Sequence, residues 1–122
     1  RISLTDDPLK EVLAAKELLK ALGLYQKEPE IISCPTCGRT EIDLKKLVSD
    51  ISKTVYSLGI KKPIKIAVMG CVVNGPGEAK HSDYAICGGK GLGAIFAHGK
   101  FIKSVPEKKI HREFIKLLQS EK

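Results

Sequence analysis

The chain has 122 residues, a formal net charge of +7 and 43% hydrophobic residues. This length suits one domain, and the apolar content is enough for a packed core, which argues against intrinsic disorder. No apolar run approaches the roughly 20 residues that a membrane-spanning helix needs. Arginine supplies three of the 21 cationic residues and aromatics make up 5%, so the charge pattern does not favour nucleic-acid binding.

The start of the chain carries neither an initiator Met nor the basic-then-apolar pattern of a signal peptide. We therefore expect a piece of a longer, cytoplasmic protein. In a reducing compartment, four cysteines point to metal binding or redox chemistry rather than to a disulfide framework.

The first predicted element is a helix that begins at Asp7-Pro8 and ends before Gly23, because Asp caps free N–H groups and Pro suits the first helical turn. Its apolar stripe repeats at spacings of three and four: Leu9, Val12, Ala15, Leu19 and Leu22. Residues 24–30 are predicted to be a linker.

A short strand at residues 31–33 and a second at 64–69 flank the clearest helical pattern in the chain. We expect Thr40 to cap this helix and Gly59 to end it, with an apolar stripe of Leu44, Leu47, Val48, Ile51, Val55 and Leu58. The strand–helix–strand order predicts a parallel pair with a right-handed crossover. Ligand sites in such sheets lie at the C-terminal ends of the strands.

Eight of the eleven glycines lie between residues 70 and 99, which indicates tight turns and close backbone approaches. Three short strands are predicted there and just beyond, at residues 84–87, 93–97 and 100–105. Residues 104–107 resemble a capping box for a last helix that buries Ile110, Phe114, Leu117 and Leu118. The predicted fold class is therefore α/β: a small mixed sheet with helices packed on it.

Cys34 and Cys37 form a CxxC pair directly after the first strand. Alone, this pair is typical of a zinc half-site, a thiol–disulfide redox centre or part of a cluster site. Cys71 follows the neighbouring strand, so we expect it near the pair, where a dithiol oxidoreductase needs no third cysteine. Structural zinc usually uses two close pairs, whereas Cys87 comes sixteen residues after Cys71, so a Cys₄ zinc site is less favoured but open.

Residues 70–78, GCVVNGPGE, can fold closely around an inorganic centre and offer N–H groups to it. Glu78 can turn back as an oxygen ligand, or it is an ordinary surface carboxylate. Asn74 can direct a polar group at a substrate, or it is a turn residue before Gly75. Both alternatives stay open on these residues alone.

Residues 33–39, SCPTCGR, together with 69–78, MGCVVNGPGE, closely resemble the 4-hydroxy-3-methylbut-2-enyl diphosphate synthase family. Residues 1–8, RISLTDDP, and 88–91, GGKG, extend the resemblance over essentially the whole chain. The resemblance implies a [4Fe–4S] cluster held at the C-terminal ends of two parallel strands by Cys34, Cys37, Cys71 and Glu78. It gives Cys87 no ligand role.

The same resemblance implies a reductive ring opening and dehydroxylation of 2-C-methyl-D-erythritol 2,4-cyclodiphosphate, in the methylerythritol phosphate route to isoprenoids. Electrons would come from ferredoxin or flavodoxin, and Glu78 and Asn74 are the candidate catalytic residues. A carboxylate is a harder donor than a thiolate, so Glu78 is the ligand that we expect to exchange most readily.

The family's substrate-binding TIM barrel is expected to be missing from this chain. Residues 1–23 resemble the end of the last strand and the last helix of that barrel, residues 24–30 the linker, and 31–122 the cluster domain. The resemblance also implies a homodimer in which the cluster domain of one subunit closes over the barrel of the other. The fragment alone is expected to be inactive. The alternative is a zinc-stabilised Cys₄ module without catalysis that binds a protein partner.

Overall fold

In the computed structural model, which describes residues 1–25, 27–73 and 75–120, five strands form one sheet in the order β1-β2-β3-β4-β5. These are β1 (Glu30–Ser33), β2 (Lys65–Met69), β3 (Tyr84–Gly89), β4 (Leu92–Ala97) and β5 (Lys100–Pro106). The helices are α1 (Pro8–Ala21), α2 (Leu44–Ser57), α3 (Gly75–Ala79) and α4 (Ile110–Ser120), and a 3₁₀ turn spans Glu107–Lys109. The first three strands are parallel and the last two join antiparallel, which confirms the predicted α/β class with a mixed sheet.

The centre of the sheet is formed by β2 and β3. Ile66 to Met69 of β2 and every residue of β3 are buried. Parallel strands that are covered on both faces consist of nearly continuous apolar and small residues, as these do. Within the described ranges, no helix combines the length and the apolar composition that crossing a membrane requires.

One face of the sheet is covered by α2 and α4, which also pack against each other. Two paired glycines make this close contact possible: a Cβ on Gly88 would lie 2.5 Å from Ile42 Cδ1, and a Cβ on Gly93 would collide with Ile110 at the start of α4. The fully buried side chains of this core include Ile51, Val55, Ile66, Val68, Ile86, Ile95, Ile110 and Phe114. We call this the helix-covered face.

The opposite face is covered in part by α3, a five-residue helix that the sequence did not predict. Small residues dominate the contact: Ala67, Met69, Ala79 and Ala85 form a buried group beneath it. The Cys87 sulfur occupies the space into which a Cβ on Gly75 would project, so α3 lies directly on β3.

Tight turns connect the last three strands. Gly91, in the turn between β3 and β4, has a φ of 66°, and His98 and Gly99, in the turn between β4 and β5, have φ values of 49° and 75°. Positive φ at both central residues matches the right-handed twist of a two-residue hairpin. The tight turn expected between the strands at residues 93–97 and 100–105 is therefore confirmed.

The first helix, α1, begins and ends as predicted but buries none of its residues. Asp7 accepts a hydrogen bond from the Leu9 N–H at 2.9 Å, and Gly23 takes the left-handed conformation beyond the helix. Lys20 forms an ion pair with Glu28, 3.2 Å away in the segment that follows. The apolar stripe is solvent-exposed, with Leu9 70% and Leu22 61% accessible.

Two capping predictions are wrong. The N-terminal cap of α2 is Asp43, whose carboxylate accepts a hydrogen bond from the Lys46 N–H at 3.1 Å, and not Thr40. Ser104 lies within β5 and caps nothing: the 3₁₀ turn that leads into α4 follows Pro106 and has no side-chain cap. In both places the residue before the first helical turn, Asp43 or Pro106, lies two or three positions after the predicted cap.

Candidate metal centre

Two parallel strands bring Cys34 and Cys71 to the same edge of the sheet. Cys34 directly follows β1 and Cys71 comes two residues after β2. Ser33 pairs with Val68, so the two strands end almost level with each other. The side chains that follow parallel strands meet at their C-terminal edge, the usual position of a ligand site in an α/β sheet.

A hydrogen-bonded turn holds Cys37 near this edge. The Thr40 N–H donates to the Cys37 carbonyl at 3.0 Å, and the Cys37 N–H donates back to Thr40 Oγ1 at 3.3 Å. Thr36, between the two cysteines, has a φ of 67°, which is rare for a β-branched residue. Thr40 therefore closes the CxxC turn instead of capping the helix.

The CxxC turn is joined to the segment that carries Cys71. The Glu41 N–H donates a hydrogen bond to the Gly70 carbonyl at 3.2 Å. A Cβ on Gly70 would lie 2.7 Å from Thr40 Cγ2, so only glycine at this position permits the approach. The residue before Cys71 thus fixes the distance between the two cysteine-bearing segments.

Arg39 provides a positive charge between Cys37 and Cys71. The Arg39 backbone N–H, then its guanidinium, donate to the Cys37 sulfur and lower the pKa of that thiol below its ordinary value. The Cys37 and Cys71 thiolates in turn raise the pKa of Arg39. Stabilisation of the thiolate favours metal binding, since the thiolate is the ligand form.

Cys87 is in a different environment. It is buried in β3, and the desolvation that results, followed by the charge of nearby Cys71, raises the pKa of its thiol to about 12. Its sulfur packs against Gly75 at the start of α3. A thiol held in this form behaves as a small apolar core residue.

Glu78 lies in α3, the short helix that follows β2 in the chain, and its side chain is exposed. Asn74, the other candidate catalytic residue, lies outside the described residues. Within residues 1–25, 27–73 and 75–120, no three or more His, Cys, Asp or Glu side chains are close enough together to hold a metal ion. Cys34, Cys37 and Cys71 therefore lie along one edge of the sheet without closing into a ligand shell, and among the described residues Cys87 does not complete a set of four sulfurs.

Residues 30–120 match a family model described as the GcpE protein C-terminal domain. The chain belongs to this family. A 4-hydroxy-3-methylbut-2-en-1-yl diphosphate synthase (flavodoxin) of Malacoplasma penetrans is 54% identical over 118 residues, which are 97% of this chain and 32% of that protein. The proteins of the same name from Lawsonia intracellularis and Clostridium perfringens are 59% and 50% identical, over 86% and 98% of this chain and 29% and 34% of their own lengths.

This GcpE-family chain thus spans about a third of the length of the relatives that it matches. These relatives are named as enzymes and give no support to the alternative of a zinc-stabilised interaction module. The match of 98% of the chain to the Clostridium perfringens protein extends beyond the region of the family model and includes α1.

The donor set of this GcpE-family domain suits an iron–sulfur centre. Thiolates are the usual ligands of such clusters, and backbone N–H groups and a nearby cation stabilise their negative charge. Arg39 and the N–H groups of the CxxC turn are of that kind here. The sequence alone assigned no role to Arg39. Its position two residues after Cys37 was the available signal, but its interaction with both thiols depends on the turn geometry.

Proposed function

We propose that this chain is the cluster-binding domain of a 4-hydroxy-3-methylbut-2-en-1-yl diphosphate synthase. Cys34, Cys37, Cys71 and Glu78 would hold a [4Fe–4S] cluster, which when bound supplies electrons one at a time and Lewis-acidic iron. The observation that carries the proposal is the joining of the CxxC turn to Gly70, because it keeps three thiols at one edge of the sheet.

The reaction that we propose for the whole enzyme is the reductive opening and dehydroxylation of 2-C-methyl-D-erythritol 2,4-cyclodiphosphate. The names of the relatives support this substrate class, since they state the diphosphate product. Reduction of a bound anion is favoured near positive charge, and Arg39 supplies such a charge beside Cys37 and Cys71. We propose a polar contact to the substrate for Asn74.

Glu78 is proposed as the exchangeable ligand. Its exposed carboxylate stands on a short helix that begins at Gly75 and packs on β3 through the Cys87 contact. A carboxylate is a harder donor than a thiolate, and it binds the iron of such a centre more weakly than the thiolates do. Glu78 would therefore be the side chain that leaves when the substrate arrives, while the three thiolates stay bound.

Residues 1–23 are proposed to belong to a preceding TIM barrel, with 24–30 as the linker and 31–122 as the cluster domain. The stripe of α1, in which no residue is buried, supports this division, since an apolar helix face of this kind usually contacts another surface. Substrate binding would need the barrel, in a homodimer that brings it against the cluster domain of the other subunit. The chain alone would then be inactive.

We propose flavodoxin as the electron donor, as the names of the relatives state, in preference to ferredoxin. The cytoplasm is the proposed location, because both the donor and the diphosphate substrate would be available there.

Metal analysis after anaerobic reconstitution tests the proposal. We expect about four irons and four acid-labile sulfides per chain, with a broad visible absorbance that dithionite bleaches. Cys34→Ser, Cys37→Ser and Cys71→Ser should each lose it, Glu78→Ala should make it labile, and Cys87→Ser is the matched control that should keep it. One zinc per chain with no sulfide, or a cluster that survives Cys71→Ser and is lost in Cys87→Ser, would contradict the proposed ligand set.

A further inference from the structure

An apolar region of the sheet that no described helix covers adjoins the candidate metal centre. It consists of Leu92, Phe96 and Phe101, and we call it the open face. Gly88 and Gly93 point toward the helix-covered face, so their neighbours Gly89 and Leu92 point the other way. Phe96 pairs with Phe101, and their rings meet edge to face with centroids 5.7 Å apart. Leu92 and Phe101 are 52% and 58% exposed.

The open face is continuous with the segment that carries Cys71. Val72 follows Cys71 and is 56% exposed. A Cβ on Gly89 would lie 3.1 Å from Val72 Cγ1, and Gly89 is the strand partner of Leu92. Apolar surface therefore runs from the residue after a proposed cluster ligand across the β3–β4 hairpin to β5.

Two exposed lysines lie at the ends of this surface. Lys90 lies in the turn between β3 and β4. Lys80 lies beside the β4–β5 turn, because a Cβ on Gly99 would be 3.7 Å from its Cα. The acidic residue Glu107 lies near Lys90, since its N–H donates to the Gly91 carbonyl at 3.0 Å, but two further lysines follow it directly.

We propose that the open face, with Val72 and the rim lysines Lys80 and Lys90, is the docking surface for an acidic flavodoxin. The proposal rests on the proposed function, which requires electrons to reach a centre at Cys71. An apolar middle with a charged rim is the usual composition of a protein interface, and a positive rim selects a partner of negative charge. Transient redox complexes bury less than about 1,200 Å², so a surface of a few side chains is enough.

A second copy of the chain suits this surface less well than an acidic partner. In a symmetric dimer the same patch meets itself, and lysines at the rim would face lysines. Like charges set against each other weaken such a contact, whereas carboxylates opposite the same lysines strengthen it. The net charge of +7 acts in the same direction at longer range.

The test compares two double charge reversals in the cluster-loaded chain, with binding of oxidised flavodoxin measured by calorimetry in about 0.1 M salt. We expect Lys80→Glu/Lys90→Glu to weaken binding by about tenfold. The matched control is Lys61→Glu/Lys62→Glu, which changes two exposed lysines in the loop after α2. This control should change the dissociation constant by less than about twofold, since that loop follows the helix that covers the opposite face of the sheet and 0.1 M salt largely screens charges beyond about 10 Å.

Two further measurements locate the contact. Amide resonances of β4, β5 and Val72 should shift on titration with flavodoxin, and those of α1 should not. Leu92→Ser/Phe101→Ser should weaken binding while the circular dichroism spectrum is unchanged.

The docking proposal is overturned if the wild-type chain does not bind flavodoxin, if both double variants weaken binding equally, or if the shifts fall on α1. It is also overturned if light scattering shows a dimer that Phe101→Ser dissociates, because a second copy then occupies the face. Iron and sulfide content is measured on the same samples. A failure of the proposed function appears there as a missing cluster, whereas a failure of the docking proposal appears only in the binding data.

Discussion

The helix-covered face of the sheet and its C-terminal edge are built in different ways. On the helix-covered face, large side chains such as Ile51, Ile110 and Phe114 are completely buried between α2, α4 and the strands. At the edge, glycines, turns and exposed polar groups surround Cys34, Cys37 and Cys71. Stability and chemistry are therefore largely separated in this domain. Changes at the edge should alter reactivity more than folding, and changes under the helices should do the reverse.

The largest expected contrast is between two thiols. In the metal-free chain at pH 8, we expect iodoacetamide to modify Cys37 at least about a hundredfold faster than Cys87, because the thiolate is the nucleophile. Arg39 lowers the pKa of the Cys37 thiol, whereas burial raises that of Cys87 to about 12. Mass spectrometry of timed digests measures both rates. Equal rates would mean that β3 and α3 separate readily, and that the edge is no more reactive than the core.

Next in size is the effect of removing a ring from the helix-covered face. Phe114→Ala should lower the free energy of unfolding by about 3–5 kcal/mol, the range for buried aromatic residues, because it leaves a cavity. Phe101→Ala removes the same ring from an exposed position and should cost less than about 1.5 kcal/mol, chiefly through the lost contact with Phe96. Urea unfolding of both variants makes the comparison. Similar losses would contradict the placement of the main core under α2 and α4.

A smaller effect is expected where α3 meets β3. Gly75→Ala should cost about 1–3 kcal/mol, because the new Cβ collides with the Cys87 sulfur and forces the helix outward. Gly77→Ala, in the same helix, has no atom within 4 Å of its new Cβ and should be neutral or slightly stabilising. The same urea experiment measures both variants. The loss of unfolding free energy in a Gly75→Ala/Cys87→Gly double variant should be smaller than the sum of the losses in the two single variants. A loss equal to that sum would show that the contact is absent.

The smallest expected effect depends on pH. Hydrogen bonds from Lys103 at 2.6 Å and Lys116 at 2.9 Å hold the pKa of Glu113 at about 2. A carboxyl group with a depressed pKa stabilises the fold above its unfolded value of about 4.3, and this contribution is lost as the pH falls toward 2. Thermal unfolding between pH 5 and pH 2 should therefore show a steeper loss for the wild type than for Glu113→Gln. Parallel curves would rule out the contribution.

Most of the helices and strands could be predicted from the sequence because their periodicity is strong. The stripe of α2 and the apolar run of β2 leave few alternatives, and both are found where expected. The caps were harder, since Thr40 and Asp43 are both good capping residues three positions apart and tertiary contact decided between them. Gly-Pro-Gly in α3 reads as a loop because glycine is a poor helix former, and only its packing on Cys87 explains a helix there.

For the candidate site, the sequence could predict the edge of the sheet but not the arrangement of the ligands. Parallel strands must end on the same side, which was sufficient to bring Cys34 and Cys71 together. The approach of Cys37 depends instead on the positive φ of Thr36 and on the Gly70–Thr40 contact, neither of which has a periodic signal. The distance of Glu78 from the thiols likewise depends on local backbone geometry, which has no periodic signal in the sequence.

The bond from the Glu41 N–H to the Gly70 carbonyl has a consequence for the order of assembly. The two cysteine-bearing segments are separated in the chain by α2 and β2, so they meet only after the strand–helix–strand unit has formed. The entropy cost of closing that long loop is then offset by the free energy of folding and not by that of metal binding. Small zinc domains that fold only around their ion behave in the opposite way. With the cluster that we propose, a delivery protein would meet a folded receptor here, and loss of that cluster to oxygen would leave a domain ready to be loaded again.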